Sequence, residues 1–433
     1  METSINIPIL SLLPFLLMLS SIAFFPLFWN HFWEKNKNKL IISLILSLPV
    51  LIFLILSGLT HQLLETILFD YIPFIILLGA LFTITGGIYL SGDIEAKPII
   101  NTSFLGIGAL LASLMGTTGA AMLLIRPLIY TNKERNFKVH TILFFIAIVA
   151  NCGGLLTPLG DPPLFMMYLR GAPFMWFSQL LPEWVFTNFL LLLVYFLVDS
   201  FYHKKETKAV VRLDEKNIRP LRLEGKLNFL WLIGVVLAVA FINHQYFSFI
   251  EQNEYYKFLR EAFIIAMMVL SLLLTPKLLR ESNNFTWEPI KEVAYLFLGI
   301  FVTMVPALLY LQSNGSHLGV SSTTQFYYYT GLLSSFLDNT PTAVTFHSLA
   351  LGLGENASSI VAQIPEEILK AICVSAVFFG SMTYIGNGPN FMVKAVAEEN
   401  NINMPSFFAY MFKFSLIVLL PIFILVQLLF VGS

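Results

Sequence analysis

Charged residues are scarce in this sequence. Asp, Glu, Lys and Arg make up 12% of its 433 residues, about half the share that soluble domains usually carry. A water-soluble fold could not bury all the apolar side chains, because 57% of the residues are hydrophobic. The composition therefore predicts an integral membrane protein embedded in the lipid bilayer, and it argues against a secreted enzyme and against a nucleic-acid partner.

Cysteine is also rare, with two residues, Cys152 and Cys373, each inside an apolar stretch. This number excludes a disulfide scaffold and gives no basis for a transition-metal site. No nucleotide-binding loop is recognisable, so ATP-driven pumping is not expected and no nucleotide partner is predicted. No cofactor is expected either. Neither a Ser-His-Asp nor a Cys-His arrangement can be argued from the spacing, which speaks against an enzyme.

Long apolar stretches predict ten membrane crossings, since a spanning helix needs about 20 apolar residues. Two further apolar stretches, 103–130 and 326–351, are interrupted and are expected to be re-entrant hairpins. The predicted crossings lie at 7–28, 40–56, 72–90, 140–169, 180–198, 229–242, 258–274, 293–311, 368–396 and 407–430.

The order of these segments repeats along the chain. The first repeat covers 1–200 and the second covers 228–433, with a basic linker at 201–227 between them. An offset of about 224 residues superposes the two halves, and the segment that begins at Thr157 matches the one that begins at Thr383. Each half then has five crossings and one hairpin. An odd number of crossings makes the second repeat inverted relative to the first.

The basic residues indicate the orientation. Most of the 25 lysines and arginines fall in loops on the side of the 201–227 linker. The loops 59–70, 244–256, 312–325 and 353–369 contain none. Because basic loops stay in the cytoplasm, we expect a cytoplasmic linker, both termini outside, and the cell membrane as the location.

Four breaks interrupt the apolar segments, at 116–119, 157–163, 338–342 and 380–389, in two symmetry-related pairs. Unwound backbone at membrane depth is tolerated only where it is buried in protein or lines a cavity, and paired broken helices mark the central site of many transporters. The residues expected to permit the breaks are glycines and prolines, namely Gly116, Gly119, Gly160, Gly386, Gly388, Pro158, Pro162, Pro163 and Pro389.

Two acids lie in these breaks, Asp161 and Asp338. Each could simply be a helix N-cap, but an ionisable group deep in a membrane is by default a functional candidate. Burial disfavours the charged form of a carboxyl, whereas a bound cation favours it. One such group can therefore hold a proton or a sodium ion in turn. Neutral oxygen ligands are expected from Asn151, Asn339, Asn387, Asn390, Thr118, Thr157, Thr340 and Thr383.

Four runs resemble those of the ion-transporter superfamily, which includes NhaD-type sodium/proton antiporters, arsenite carriers, and citrate and dicarboxylate transporters. They are GTTGAAMLLIRPL, NCGGLLTPLGDPPLF, LDNTPTAVTF and GSMTYIGNGPNFMVKAVAEE, which begin at 116, 151, 337 and 380. The resemblance implies a scaffold and a transport domain, an elevator motion and a homodimer. The dicarboxylate branch has Ser-Asn-Thr at both hairpin tips, which this sequence lacks, and Asp161 stands where that branch tends to have a neutral residue.

The sequence thus predicts a secondary transporter that exchanges sodium for protons, both being cargo, at Asp161 and Asp338. The alternative is sodium-coupled uptake of citrate or another small carboxylate. A membrane-embedded enzyme or an oxyanion channel is a third possibility, which the paired inverted breaks do not favour.

Overall fold

The chain is described by a computed structural model that covers residues 7–354 and 359–432. The prediction of an all-α polytopic membrane protein is confirmed. Within the described residues, eight helices are long and apolar enough to cross a membrane. These eight are Ile9–Phe28, Asn36–Leu56, Thr60–Thr85, Pro98–Met115, Val139–Leu156, Phe174–His203, Glu288–His317 and Phe407–Phe430.

Three predicted crossings are absent from those eight because their helices are short or interrupted, and one of the eight, Pro98–Met115, overlaps the stretch predicted as a re-entrant hairpin. The stretches at 229–242 and 258–274 form helices of 15 and 17 residues. The stretch at 368–396 forms two helices separated by a break.

The α-helices of the first half are α1 (Leu13–Phe28), α2 (Asn30–Trp33), α3 (Asn36–Leu56), α4 (Thr60–Glu65), α5 (Ile72–Thr85), α6 (Pro98–Met115), α7 (Thr117–Thr131), α8 (Val139–Ile148), α9 (Pro162–Leu169), α10 (Leu181–His203) and α11 (Lys208–Lys216). Those of the second half are α12 (Leu227–Phe241), α13 (Phe258–Leu274), α14 (Lys277–Ser282), α15 (Glu288–Asn314), α16 (Thr323–Phe336), α17 (Asn339–Leu351), α18 (Glu366–Phe379), α19 (Gly388–Glu399), α20 (Phe407–Tyr410) and α21 (Leu420–Phe430).

Shorter segments complete the helices. Segments of π-helix, Thr66–Tyr71 and Met411–Leu419, join α4 to α5 and α20 to α21. The 3-10 segments are Ile9–Leu12, Cys152–Leu156, Phe174–Leu180, Ser248–Gln252, Glu254–Lys257, Gly315–His317 and Gly380–Met382.

Two small antiparallel ribbons lie outside the helices. Strand β1 (Tyr89–Asp93) pairs with β2 (Arg219–Glu224), and β3 (Ile360–Val361) pairs with β4 (Ile364–Pro365). The linker at 201–227 is therefore structured: α10 extends to His203, and α11 and β2 follow. Through β2 the linker is attached to the loop that precedes α6.

Helix packing joins the continuous and the interrupted helices. Among the former, α3 packs on α15 and α5 packs on α13; among the latter, α6 packs on α7 and α16 packs on α17 and α18. The two sets are in contact, because α17 packs on α15 and α7 packs on α5. Helices of the two halves also interlock, because α17 contacts α9 and α19 contacts α7. These two contacts bring the N-terminal ends of four short helices into one buried region.

Candidate functional site

Four helices begin at the buried centre of the molecule. The residues that precede α7, α9, α17 and α19 are Gly116, Asp161, Asp338 and Asn387. Each helix starts directly after an interruption, so its first N–H groups have no partner in the preceding turn. All four N-termini belong to segments in which the sequence predicts a break.

The first interruption is confined to Gly116, which has a φ of +82°. This left-handed conformation suits glycine because it has no Cβ. Helix α7 begins at Thr117, whose N–H donates to the carbonyl of Gly160 at 2.8 Å. Gly119 lies inside α7 and not in a break. A Cβ at Gly119 would meet Thr85 Cγ2 at 2.9 Å, so this glycine allows close packing.

Three of the prolines predicted at the breaks lie at the starts of helices. Pro162 and Pro163 open α9, and Pro389 lies in the first turn of α19. Proline is well tolerated there because the N–H that it lacks would have no intrahelical partner. A proline at such a position also cannot continue a helix into the gap that precedes it. Of the predicted prolines, Pro158 alone lies in the non-helical segment, which spans 157–161.

Two threonines predicted as ligands form hydrogen bonds with the backbone of the unwound segments. Thr157 Oγ1 donates to the carbonyl of Ser113, and Thr383 Oγ1 donates to that of Ser335. Each hydroxyl also accepts an N–H two residues along the chain at 3.2 Å. The two threonines make matching contacts in the two halves, which is what an internal repeat would produce.

Close glycine contacts also recur in the two halves. A Cβ on Gly160 would lie 1.9 Å from the carbonyl oxygen of Gly154. A Cβ on Gly386 would lie 2.6 Å from the carbonyl oxygen of Gly380. Gly388, in contrast, has nothing within 4 Å of an added Cβ. The requirement for glycine therefore applies to Gly160 and Gly386 and not to Gly388.

Asp161 is the centre of a hydrogen-bonded cluster and is 0% exposed. Its Oδ1 accepts from Thr117 Oγ1 at 2.7 Å and from Asn387 Nδ2 at 3.2 Å. Its Oδ2 accepts from Asn339 Nδ2. The carboxylate thus contacts one side chain at the start of each of the other three helices. Two of these side chains come from the second half of the chain.

Three asparagines connect the halves beside this cluster. Asn151 Nδ2 donates to Asn390 Oδ1 at 2.7 Å, and Asn387 Nδ2 donates to Asn151 Oδ1 at 3.1 Å. Asn390 Nδ2 donates to the carbonyls of Gly380 and Thr383 at 2.8 and 2.9 Å. The side-chain oxygens of Asn151 and Asn390 each accept one hydrogen bond, so both residues brace the site. An amide oxygen has a second lone pair, and their role as ion ligands stays a prediction.

Asp338 is a helix cap and is not part of the Asp161 cluster. Its Oδ1 accepts from the N–H of Thr340 at 3.0 Å, and the side chain is partly exposed. Asn339 and Thr340, the next two residues, are buried. The atoms Asn339 Oδ1 and Thr340 Oγ1 have no hydrogen-bond partner in the described part of the chain. Two unpaired oxygens therefore lie on the first two residues of α17.

The sequence prediction chose Thr118 at the first hairpin tip, whereas the structure brings Thr117 to the acid. Thr118 is partly exposed, and its hydroxyl makes no hydrogen bond to any described residue. The repeat alignment that paired Thr118 with Thr340 also pairs Thr117 with Asn339, and both of these contact Asp161. The repeat alignment could therefore have identified Thr117 from the sequence.

The electrostatic surroundings of Asp161 are unusual for a buried acid. Across residues 7–354 and 359–432, Asp161 forms no ion pair with Lys, Arg or His. Among the described residues, its charge is opposed by three neutral donors and by the N-terminal ends of the four helices, which carry partial positive charge. No group of three or more His, Cys, Asp and Glu that could hold a metal occurs among the described residues.

The broken helices and the buried polar centre are those of a multi-pass membrane protein of the secondary-transporter class. A family model described as "Putative citrate transport" matches residues 4–431. Because this match covers nearly the whole sequence, the chain belongs to that family. The expected relationship to an ion and citrate transporter family is thereby confirmed, whereas the narrower resemblance to NhaD-type antiporters stays a prediction.

Inner membrane protein YbiR of Escherichia coli (strain K12) is a relative of part of the chain. The two are 31% identical over 109 residues, which cover 23% of this chain and 29% of YbiR. The chain thus matches less than a third of the length of this relative.

Proposed function

We propose that this protein exchanges sodium ions for protons across the membrane and that Asp161 binds both in turn. The observation that carries the proposal is the complete burial of Asp161 without a basic partner. Burial of a charged carboxylate without a partner is strongly unfavourable, because its desolvation costs several kcal/mol that imperfect pairing does not repay. A proton or a bound cation removes that cost, so the two compete for one carboxylate.

The surrounding oxygens suit a small hard cation. Asn339 Oδ1 and Thr340 Oγ1 are buried and unpaired. The amides of Asn339 and Asn387 donate N–H groups to Asp161, and a half-turn of either amide would present oxygen instead. Rotation of the Thr117 hydroxyl would expose a lone pair in the same way. Carboxylate, carbonyl and hydroxyl oxygens are the ligands of hard cations.

Alternating access would make the exchange vectorial. In the orientation that the basic loops favour, the 201–227 linker faces the cytoplasm and both termini face outward. Protons would reach Asp161 from outside and leave inside, where sodium replaces them. The elevator motion and the homodimer implied by the resemblance belong to the same proposal, as does sodium binding at residues of both halves.

Sodium-coupled uptake of citrate or another small carboxylate is the second candidate. The family description favours it, and so do the four helix N-termini, because such termini attract anions. Asp161 opposes it, since a substrate carboxylate would add negative charge beside a buried acid. The two candidates therefore differ in what neutralises the helix ends: the protein's own carboxylate or that of the substrate.

Everted membrane vesicles with a pH-sensitive dye distinguish the candidates. We expect sodium to release accumulated protons from vesicles that contain the protein. Asp161→Asn abolishes the response, because the amide can neither bind a proton nor carry the charge. Asp338→Asn is the matched control and retains the response, since asparagine also caps helices well.

Parallel measurements use lithium and potassium as cations and then labelled citrate. Saturable, sodium-dependent citrate uptake without a sodium-driven proton response would replace the exchange proposal with the second candidate. Normal exchange by a folded Asp161→Asn variant would contradict both the role of Asp161 and the exchange mechanism.

A further inference from the structure

The linker lies at the boundary of the membrane. Helix α10 ends at His203 and belongs to an apolar span, and the apolar helix α12 starts at Leu227. Residues 204–226 therefore leave the bilayer and return to it over a short distance. Because α11 and β2 take up much of this segment, the chain has little length to move away from the surface. The linker is thus held at the level of the lipid headgroups.

Positive charge dominates this segment. Residues 204–226 contain eight Lys and Arg against four Asp and Glu. In the described part of the chain none of the eight bases forms an ion pair, and Arg212, Arg219 and Arg222 are exposed. Two of the acids are engaged by backbone N–H groups, Glu206 at 2.9 Å and Asp214 at 2.9 Å. The arginines are therefore available to an anion outside the protein.

Apolar side chains lie between these arginines. Leu213 is 51% exposed and Leu221 is 44% exposed, and Leu223 is also exposed. Leu213 follows Arg212 directly, and Arg222 lies between Leu221 and Leu223. Side chains alternate between the two faces of a strand, so on β2 Leu221 and Leu223 point to one face and Arg222 to the other. A ribbon that lies along the boundary between headgroups and acyl chains can direct its leucines toward the acyl chains and its arginine toward the headgroups. A surface that faced only bulk water would leave these leucines without an apolar environment.

We propose that the linker binds anionic phospholipid. Arg212, Arg219 and Arg222 hold the phosphate groups, because the guanidinium fork matches phosphate oxygens. Leu213, Leu221 and Leu223 enter the upper part of the acyl region. Basic residues next to a membrane span gain binding energy from anionic headgroups, and here the fold presents the bases on an ordered element.

The bound lipid is connected to the candidate ion site. Asp214 Oδ2 accepts from the N–H of Ala96 at 2.9 Å, just before α6. Asn217 Nδ2 donates to Glu134 Oε1 at 2.8 Å, just after α7. The linker is thus fastened to both outer ends of the helix pair whose inner end carries Thr117. Lipid on the linker therefore restrains the pair that contacts Asp161.

Native mass spectrometry of the full-length protein in a neutral detergent tests the proposal. The probe is dioleoyl phosphatidylglycerol, compared with dioleoyl phosphatidylcholine. We expect the unaltered protein to prefer phosphatidylglycerol. The variant R212Q/R219Q/R222Q lowers the affinity for phosphatidylglycerol about tenfold or more, and L221N/L223N lowers it by a smaller factor.

The control variant K35Q/K37Q/K277Q removes three exposed bases on the same side of the membrane and keeps most of the affinity. Equal losses in the control and the arginine variant would overturn the proposal, as would equal binding of the two lipids. Complete displacement by inorganic phosphate would assign the arginines to a free anion instead. Thermal unfolding confirms that each variant is folded, so an unaltered affinity in the folded arginine variant also contradicts the proposal.

Discussion

Asp161 and Asn387 occupy equivalent places in the two halves, 226 residues apart, and their side chains meet at 3.2 Å. Each precedes the first residue of a short helix, with φ and ψ of −144° and 141° at Asp161 and −147° and 140° at Asn387. Neither side chain caps its own helix. Both are instead turned toward the other half, so an acid and an amide form the centre of one site.

Thr117 should contribute to transport, whereas its neighbour Thr118 should not. Thr117 Oγ1 donates to Asp161 at 2.7 Å, and the Thr118 hydroxyl makes no hydrogen bond to a described residue. A hydrogen bond to a charged group contributes about 1.5–3 kcal/mol. We expect Thr117→Val to lower the apparent sodium affinity about tenfold to a hundredfold in the vesicle assay. Thr118→Val, of the same shape, leaves it nearly unchanged, and equal effects would contradict this assignment.

Replacement of two buried threonine hydroxyls that lack hydrogen-bond partners should distinguish an effect on ion binding from an effect on stability. Thr340 follows Asn339, which contacts Asp161, and Thr330 lies on α16. Neither threonine hydroxyl forms a hydrogen bond among the described residues. Replacement of either threonine by valine removes an unpaired buried polar group, which should raise the unfolding temperature slightly. Only Thr340→Val should also weaken sodium binding, by about tenfold, because the ion loses one ligand.

Sodium titrations and thermal unfolding of the two purified variants provide the measurements. If Thr340→Val keeps its sodium affinity, this hydroxyl does not bind the ion. If Thr330→Val loses sodium affinity as well, the effect arises from helix packing and not from a lost ligand.

Much of the fold could be predicted from the sequence because membrane helices are marked by length and apolarity. The broken segments were also predictable, since glycine and proline clusters recur at an offset of about 224 residues. The exact ends of the helices were not predictable, because Pro162 and Pro389 are compatible both with a gap and with a first helical turn. Gly119 was likewise placed in a break, although it lies inside α7.

The types of the site residues could be predicted from the sequence, but their exact positions could be predicted less well. A helix start that shifts by one residue changes which hydroxyl faces the acid, and that shift separates Thr117 from Thr118. Asp338 is compatible with both capping and ion binding in the sequence, and its hydrogen bond to the N–H of Thr340 was needed to identify the cap. The contact between Asp161 and Asn387 depends on tertiary packing, which the repeat alone does not specify.

Gly160 should be irreplaceable, whereas Gly388 should tolerate alanine. A Cβ at Gly160 would lie 1.9 Å from the Gly154 carbonyl oxygen, and a Cβ at Gly388 meets nothing within 4 Å. Backbone atoms cannot move aside as a flexible side chain can, so Gly160→Ala forces apart the segment that holds Asp161. We expect Gly160→Ala to lower the unfolding temperature strongly or to prevent folding.

Gly388→Ala is the control and should leave stability unchanged or improve it, because alanine has a higher helix propensity than glycine. Fluorescence-detected size-exclusion chromatography after heating measures both variants. A Gly160→Ala protein as stable as the Gly388→Ala protein would show that Gly160 does not lie against the Gly154 carbonyl as described.

A buried acid outside the ion site should destabilise the protein once its basic partner is lost. Glu183 on α10 is 0% exposed and pairs with Lys370 on α18, whose side chain is 29% exposed. Removal of the lysine leaves an uncompensated buried charge, which typically costs about 3–5 kcal/mol. We therefore expect Lys370→Met to destabilise the protein markedly and the double change E183L/K370M to recover most of the loss.

The pair Lys394 and Glu398, 2.8 Å apart, provides the matched control, because its acid is 45% exposed whereas Glu183 is fully buried. Solvent screens such a pair, so Lys394→Met should cost less than about 1 kcal/mol. Thermal unfolding of the single and double variants gives the coupling. If E183L/K370M is no more stable than Lys370→Met alone, then the loss comes from packing of the lysine stem between α10 and α18, and the charge on Glu183 is neutralised in some other way.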